Sequence, residues 1–141
     1  MRFCVIDGRG GGLGRRLIEG LQPYIGRQHE LIALATNHAA AAVMRRAGAG
    51  QVTVGERAIR QAVYAADMIV ASLNVVLPGS MLGEITPSIA EAILRAPARK
   101  LLLPVNGSKV EVAGTETFTL EQLISHVIHR VQTVLRTAAP A

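Results

Sequence analysis

A cluster of glycines near the start of the chain is the feature most suited to binding chemistry. Five glycines occur within seven residues at positions 8–14, between a short apolar run and an amphipathic segment. Glycine lacks a Cβ, so its backbone turns tightly and lets phosphate oxygens approach the amide groups. Those amides would lie at the start of a helix, where unpaired N–H groups and the helix dipole attract anions. The pattern predicts a loop that binds a phosphate-bearing nucleotide or dinucleotide, with a ligand-free strand-to-helix turn as the alternative.

Polar residues that follow the other predicted strands are expected to meet this loop at one edge of the sheet. In open parallel sheets, ligands bind beyond the carboxyl ends of the strands. Asn37 is equally suited to capping the helix that follows it. The predicted cofactor-binding residues are Asp7, Gly8, Arg9, Gly10, Gly11, Gly12, Leu13, Gly14, Thr36, Asn37, Ser72, Asn74 and Asn106.

Two carboxylates accompany these residues. Asp7 directly precedes the glycines, where its charge would repel a phosphate. It is suited to accepting loop amides, binding a ribose hydroxyl or holding a divalent ion, and the first role is favoured. Glu84 lies in an apolar loop at 73–85, which is expected to form a lid over the ligand or a subunit interface. Glu84 is the best candidate for a general base, with a surface or capping role as the alternative.

The spacing of the glycines differs from two common nucleotide-binding motifs. It matches G-x-x-x-G-x-G through Gly8, Gly12 and Gly14, and it lacks the G-K-[ST] ending of a P-loop. The acidic residue that binds the adenosine ribose in Rossmann folds would fall at the end of the second strand, where Thr36 and Asn37 stand. The expected cofactor is NADP or NAD, with the missing carboxylate weighing against NAD. Another nucleotide or a phosphorylated metabolite stays open.

Short apolar runs alternate with amphipathic stretches, and this rhythm predicts the elements that position the loop. The expected fold class is α/β: a single Rossmann-like, doubly wound, mostly parallel sheet of about five to six strands with helices on both faces. The domain is predicted to span 1–136, followed by a loose tail at 137–141. The predicted strands cover 3–6, 31–35, 51–54, 68–71, 100–105 and, short and at an edge, 110–113.

Several residues predict where helices begin and end. Pro23 is expected to end the first helix, and Thr86 followed by Pro87 to begin the fourth. The run from Thr119 to Gln122 is a capping-box pattern that opens the last helix. The apolar stripe of that helix is expected to pack on the sheet, with a coiled-coil-like contact to a second subunit as the alternative.

The composition limits the class of protein and its partners. The chain has 141 residues, half of them hydrophobic, which is enough for one domain with a real core. No apolar run approaches the roughly 18 residues that a membrane helix needs. The apolar run at the start is too short for a signal peptide, so a cytoplasmic location is expected. The lone Cys4 excludes an internal disulfide and is predicted to fill the core.

Charge and histidine content bear on nucleic acid and metal. The net charge is +5, but aromatic residues are only 3% of the chain, leaving little for bases to stack on. No specific nucleic-acid partner is therefore expected, nor a metal site, because the histidines lack a further ligand nearby. No separate substrate domain fits in this length, so a homo-oligomer, most simply a dimer, is expected.

Two resemblances to known families add to this interpretation. The glycine loop resembles the cofactor loop of short-chain dehydrogenases over the first third of the chain. That family acts through a Tyr-x-x-x-Lys pair, and neither Tyr24 nor Tyr64 has a lysine four residues later. Most of the chain resembles a family of small uncharacterised bacterial proteins. That resemblance is carried by the segments Val5 to Arg15, Ala35 to Asn37, Ser80 to Pro87 and Pro104 to Asn106.

The second resemblance implies a Rossmann-like fold and no assigned reaction. In that family a cysteine stands two residues after Pro-Val-Asn, where this chain has Ser108, so thiol chemistry is not carried over. The residues thus predict nucleotide binding with an unknown reaction. The alternative is a non-catalytic module for nucleotide or metabolite sensing or for protein interaction.

Overall fold

The computed structural model of the chain describes residues 1–105 and 110–138. Strands and helices alternate from the first element to the last, as expected when apolar runs of five or six residues separate amphipathic stretches. The strands are β1 (Arg2–Asp7), β2 (Glu30–Ala35), β3 (Gln51–Val54), β4 (Met68–Ser72) and β5 (Arg99–Leu103). The helices are α1 (Gly12–Ile25), α2 (His38–Arg46), α3 (Glu56–Ala62), α4 (Pro87–Arg95) and α5 (Leu120–Ala138), with 3₁₀ turns at Val63–Ala65 and Leu73–Val76.

The five strands form one parallel sheet in the order β3-β2-β1-β4-β5. This confirms the predicted α/β fold with a doubly wound sheet. Asp7 is in register with Ala35 of β2, and Ile6 with Ala71 of β4, so these three strands end at the same level. The strand order reverses between β1 and β4, and open α/β sheets bind ligands beyond such a point.

The central strand β1 is buried on both faces of the sheet. Phe3 and Val5 belong to the apolar cluster that includes α1, α2 and α5, whereas Cys4 and Ile6 belong to the cluster that includes α3 and α4. Such double burial explains why β1 appears in the sequence as a continuous apolar run. Burial also raises the pKa of the Cys4 thiol to about 12, so it stays protonated.

Helix α5 packs on the sheet through its apolar stripe. The predicted capping box is present, because Thr119 N–H donates to Gln122 Oε1 at 2.8 Å and Gln122 N–H donates to Thr119 Oγ1 at 3.1 Å. The helix continues to Ala138, two residues into the segment predicted as a loose tail. The stripe is buried and consists of Ile124, Val127, Val131 and Val134.

Two predictions of local structure were wrong: the end of the first helix and a sixth strand. Pro23 lies inside α1, which continues to Ile25 and ends at Gly26, whose φ is 64°. A proline in the last turn removes one backbone hydrogen bond, and the burial of Ile25 offsets that loss. Residues 110–113 form a loop and turn rather than a sixth strand. Val110 is 47% exposed, so little burial would stabilise a strand there.

Candidate functional site

The glycine loop connects β1 to α1 through a tight turn. Gly11 N–H donates to the Gly8 carbonyl at 2.9 Å, and both Arg9 and Gly11 have positive φ, at 50° and 73°. Helix α1 begins at Gly12 without a side-chain cap and without an acidic residue in its first turn. Within residues 1–105 and 110–138, the amides of Gly12 and Leu13 have no hydrogen-bond acceptor. The helix therefore begins with two backbone donors available to an anion.

Three of the five loop glycines are required by close packing. A Cβ at Gly8 would clash with Thr36 Oγ1 and would lie 2.8 Å from Glu84 Oε1, and one at Gly14 would lie 2.9 Å from both the Asp7 Cβ and the Met44 Cε. Gly11 has a left-handed φ and its Cβ would lie 3.0 Å from the backbone of α2. The fold alone accounts for glycine at these three positions.

The other two glycines, Gly10 and Gly12, have no such requirement. A Cβ at either position would have no atom within 4 Å among the described residues, and neither glycine has a left-handed φ. Both are exposed. A side chain would fit the free protein at both positions, so the fold does not explain these glycines. A ligand that approaches the backbone closely would explain them, because a side chain would occupy its place.

The Asp7 carboxylate ties the loop to the end of β1. Its Oδ1 accepts Gly8 N–H at 2.8 Å and its Oδ2 accepts Gly14 N–H at 2.7 Å. Burial raises the pKa of Asp7, and the amides of Gly14 and Gly8 reduce that rise without cancelling it. Of the three roles considered from the sequence, this geometry matches the first, in which Asp7 accepts loop amides.

The Glu84 carboxylate joins the glycine loop to the end of β2. Its Oε1 accepts Arg9 N–H at 2.9 Å, Asn37 Nδ2 at 2.9 Å, and the Thr36 hydroxyl. Asn37 also donates to the Arg9 carbonyl at 3.0 Å and caps α2 through Ala40 N–H at 2.8 Å. Asn37 thus has its predicted capping role, and its amide nitrogen joins α2 to the loop; its role in ligand binding stays a prediction.

Hydrogen bonding keeps Glu84 ionised. Burial raises the pKa of this carboxyl, but the hydrogen bonds from Thr36, Arg9 and Asn37, together with the Arg9 charge, outweigh it and hold the pKa below its ordinary value of 4.5. A general base works best when its pKa lies near the working pH. A carboxylate with a lowered pKa is therefore better suited to holding hydrogen-bond donors than to abstracting protons.

Glu84→Gln tests this carboxylate through the pH dependence of stability. Because the pKa of Glu84 is lowered in the folded chain, its charge contributes full stability above the ordinary value of 4.5, and that contribution is lost as the pH falls through the folded-state pKa. In urea unfolding near pH 7, we expect the free energy of unfolding of the variant to be about 1 kcal/mol lower than that of the wild type. Near about pH 3.5 we expect this difference between the two proteins to be smaller. Glu91→Gln, whose exposed side chain pairs with Arg95, is the control. An equal difference in the free energy of unfolding at both pH values would show that the charge of Glu84 does not stabilise the folded chain.

The predicted residues at the end of β4 form a separate cluster beside the loop. The buried Ser72 hydroxyl accepts Asn74 N–H at 3.1 Å, and the Ser80 hydroxyl donates to the Asn74 carbonyl. No hydrogen bond joins this cluster to the glycine loop within the described residues. Asn106, the remaining predicted site residue, lies outside the described residues.

The segment 73–85 is only partly exposed. Val75 and Ile85 are fully buried in the core, whereas Leu82 is 84% exposed. Met81 and Leu82 have positive φ values of 55° and 56°, and the Met81 sulfur would lie 3.0 Å from a Cβ at Gly8. The predicted lid is therefore anchored in the core at Val75 and near its end at Ile85, and its tip borders the glycine loop.

The larger surface grooves lie away from this site. One of about 510 Å³ separates α3 from α4 and is lined by Arg57, Arg60 and Arg95. Another, of about 570 Å³, lies near the amino ends of the strands and includes Gly50. The largest of the three, of about 610 Å³, lies between the end of α1 and the end of α5 and includes Tyr24 and Arg136. The glycine loop is thus distinguished by its free amides and by Gly10 and Gly12, and not by a deep groove among the described residues.

The described residues lack two further features. None of their helices combines the length and the apolar character needed to cross a bilayer. No three His, Cys, Asp or Glu side chains among them are grouped so that they could hold a metal ion.

The position of Glu84 is the part of the site that the sequence did not predict. The sequence marked Glu84 as a general-base candidate in a loop, but it contacts Arg9 across 75 positions and Thr36 across 48. No local motif encodes a contact of that range. The one available signal is the polar type of Glu84 within an apolar segment.

Comparisons with known proteins give a family and one solved structure that supports the fold. A family model described as "Domain of unknown function (DUF3842)" matches residues 2–136. No curated protein sequence matches. A dodecameric FMN-dependent UbiX-like decarboxylase from Escherichia coli O157:H7 is similar at a TM-score of 0.53 and 15% identity, over 99% of this chain and 96% of that one. A nucleoside-diphosphate-sugar epimerase from Pseudomonas aeruginosa is similar at a TM-score of 0.45 and 12% identity, over 99% of this chain and 50% of that one.

Proposed function

The chain belongs to the DUF3842 family, and we propose that it binds a phosphate-bearing nucleotide or dinucleotide at residues 8–14. The observation that carries the proposal is the pair Gly10 and Gly12, which the fold leaves unexplained and which flank open space. The free amides of Gly12 and Leu13 provide hydrogen-bond donors for a phosphate at the same place. The topology supports this, because the loop follows the strand at which the sheet order reverses.

A thermal-shift screen with inorganic pyrophosphate, NAD, NADP, FMN, ATP and phosphosugars tests the proposal. A ligand at about 100 times its Kd adds roughly 2.7 kcal/mol to the free energy of unfolding, which raises Tm by several degrees in a domain of this size. We expect at least one phosphate-bearing ligand to do so, and adenosine without phosphate to do much less. If no phosphate-bearing compound raises Tm, the loop is a structural turn and the proposal is wrong.

A non-catalytic sensor is the second candidate function. The observation that favours it is the Glu84 carboxylate, which ties the exposed tip of 73–85 to the backbone of the binding loop. A ligand that moves Arg9 would thereby move Leu82, an exposed apolar side chain suited to a protein contact. Turnover of a bound nucleotide with added substrates would favour an enzyme, and a change of assembly state without turnover would favour a sensor.

We propose a homodimer as the resting assembly, which sedimentation equilibrium tests directly.

A further inference from the structure

The Glu84 carboxylate lies where a Rossmann fold needs an acceptor for ribose. In these folds an acidic residue at the end of the second strand accepts the hydroxyls of the adenosine ribose. Here Thr36 and Asn37 occupy that strand end, and both donate to Glu84. The segment after β4 therefore brings to this place the carboxylate that the β2 sequence lacks.

We infer that Glu84 determines ligand specificity by accepting hydrogen bonds from the free vicinal hydroxyls of a nucleotide's ribose. The inference depends on the proposed binding of a nucleotide at the glycine loop. It assigns a ligand class, nucleotides with an unsubstituted ribose such as NAD, and it disfavours those with a 2′-phosphate such as NADP. This is the reverse of the preference that the β2 sequence alone indicates.

The two oxygens of Glu84 differ in what they contact. Oε1 accepts all three hydrogen bonds, from Arg9, Thr36 and Asn37, whereas Oε2 accepts none from the described residues. Oε2 is also not sealed in the interior, because Thr53 Oγ1 is the one buried side-chain oxygen without a partner in the described part of the chain. One oxygen is thus fixed by the fold and the other is available to a ligand. A ribose diol supplies donors to the ionised Oε2, whereas a phosphate dianion supplies none and is repelled by the Glu84 charge.

The position of Glu84 also sets the direction of the ligand. Oε1 lies 2.8 Å from the place of a Cβ at Gly8, and the free amides begin four residues later at Gly12. The phosphate is drawn to the start of α1, where Gly12 and Leu13 offer donors, and is repelled by the ionised Glu84. The sugar then lies toward β2 and the phosphate over α1, which places both on the same edge of the sheet.

Calorimetric titration of the wild type, Glu84→Gln and Glu91→Gln with NAD, NADP and inorganic pyrophosphate tests the inference. The amide oxygen of the substituted side chain can keep the contacts of Oε1, so Glu84→Gln removes the charge and replaces the free acceptor with a donor. We expect the wild type to bind NAD at least about tenfold more tightly than NADP, and Glu84→Gln to lose about tenfold in NAD affinity. Glu84→Gln should bind pyrophosphate equally or more tightly, and Glu91→Gln should match the wild type throughout.

The outcomes separate this inference from the proposed function. If the wild type binds NADP as tightly as NAD, or if Glu84→Gln leaves NAD affinity unchanged, Glu84 does not select the ribose. Binding of pyrophosphate without either dinucleotide overturns the inference in the same way and leaves phosphate binding at the loop intact. If none of the three probes binds to the wild type, both the inference and its premise fail. Circular dichroism of each variant establishes that it is folded.

Discussion

Gly12→Asp is expected to abolish binding of phosphate ligands, with a loss of affinity of at least about a hundredfold, while the chain stays folded. A Cβ at Gly12 would have no non-neighbouring atom within 4 Å among the described residues, so the fold leaves room for the new side chain. A carboxylate in the first turn of a helix is favoured by the helix dipole, by about 0.3–1 kcal/mol. The same carboxylate would stand where a phosphate needs the amides of Gly12 and Leu13. Stability and binding should therefore change in opposite directions.

The matched control for this variant is Gly50→Asp. Gly50 is exposed, lacks a left-handed φ and precedes β3, so it lies at the opposite edge of the sheet. It receives the same change of charge, and we expect its ligand affinity to equal that of the wild type. Gly14→Ala provides the contrast, because its Cβ would lie 2.9 Å from the Asp7 Cβ and should cost about 1–3 kcal/mol of stability. Unchanged pyrophosphate affinity in Gly12→Asp would show that the ligand does not approach this residue.

Asp7→Ala should lower the free energy of unfolding by about 2–4 kcal/mol. The substitution leaves the amides of Gly8 and Gly14 without their acceptor at a buried position. Part of the cost is offset, because burial already penalises the charge and raises the pKa of Asp7. The free energy of unfolding of Asp7→Asn should lie between those of the wild type and Asp7→Ala, since its amide oxygen still accepts one of the two N–H groups.

Urea unfolding at neutral pH measures these differences, and Asp67→Ala is the control. Asp67 also accepts a backbone amide, from Arg2 at 2.7 Å, but it is exposed and lies at the amino end of β4. Water can replace an exposed acceptor, so this variant should lose well under half as much stability as Asp7→Ala. Equal losses in the two alanine variants would mean that burial of the Asp7 contacts adds nothing.

The sheet could be predicted because its strands carry a local signal. A strand buried on both faces must be apolar at every position, as β1 is from Phe3 to Ile6, and a helix that packs on one face must repeat its apolar residues every three or four positions. The predictions failed where the local preference of a residue is outweighed by its tertiary packing. Proline usually ends a helix, yet α1 continues beyond Pro23 to Ile25, whose buried side chain stabilises the last turn.

The candidate site was predictable only in its contiguous part. The loop at 8–14 follows directly from glycine content next to an apolar run, and Asn37 follows from its position before a helix. The contact of Glu84 with Arg9 and Thr36 depends on how an irregular segment folds back over the sheet. Such a segment lacks the repeating apolar pattern of a helix or a strand. Its position is set by tertiary packing, which the local sequence does not predict.

The buried thiol of Cys4 makes the centre of the sheet a natural reporter of unfolding. The residue is 0% exposed on the central strand, and its pKa of about 12 leaves almost no thiolate at neutral pH. A thiol-specific reagent can reach it only after β1 separates from its neighbours, which requires the cooperative core to open. When reclosing is faster than alkylation, the alkylation rate therefore reports the population of the opened core, without the need for an introduced label.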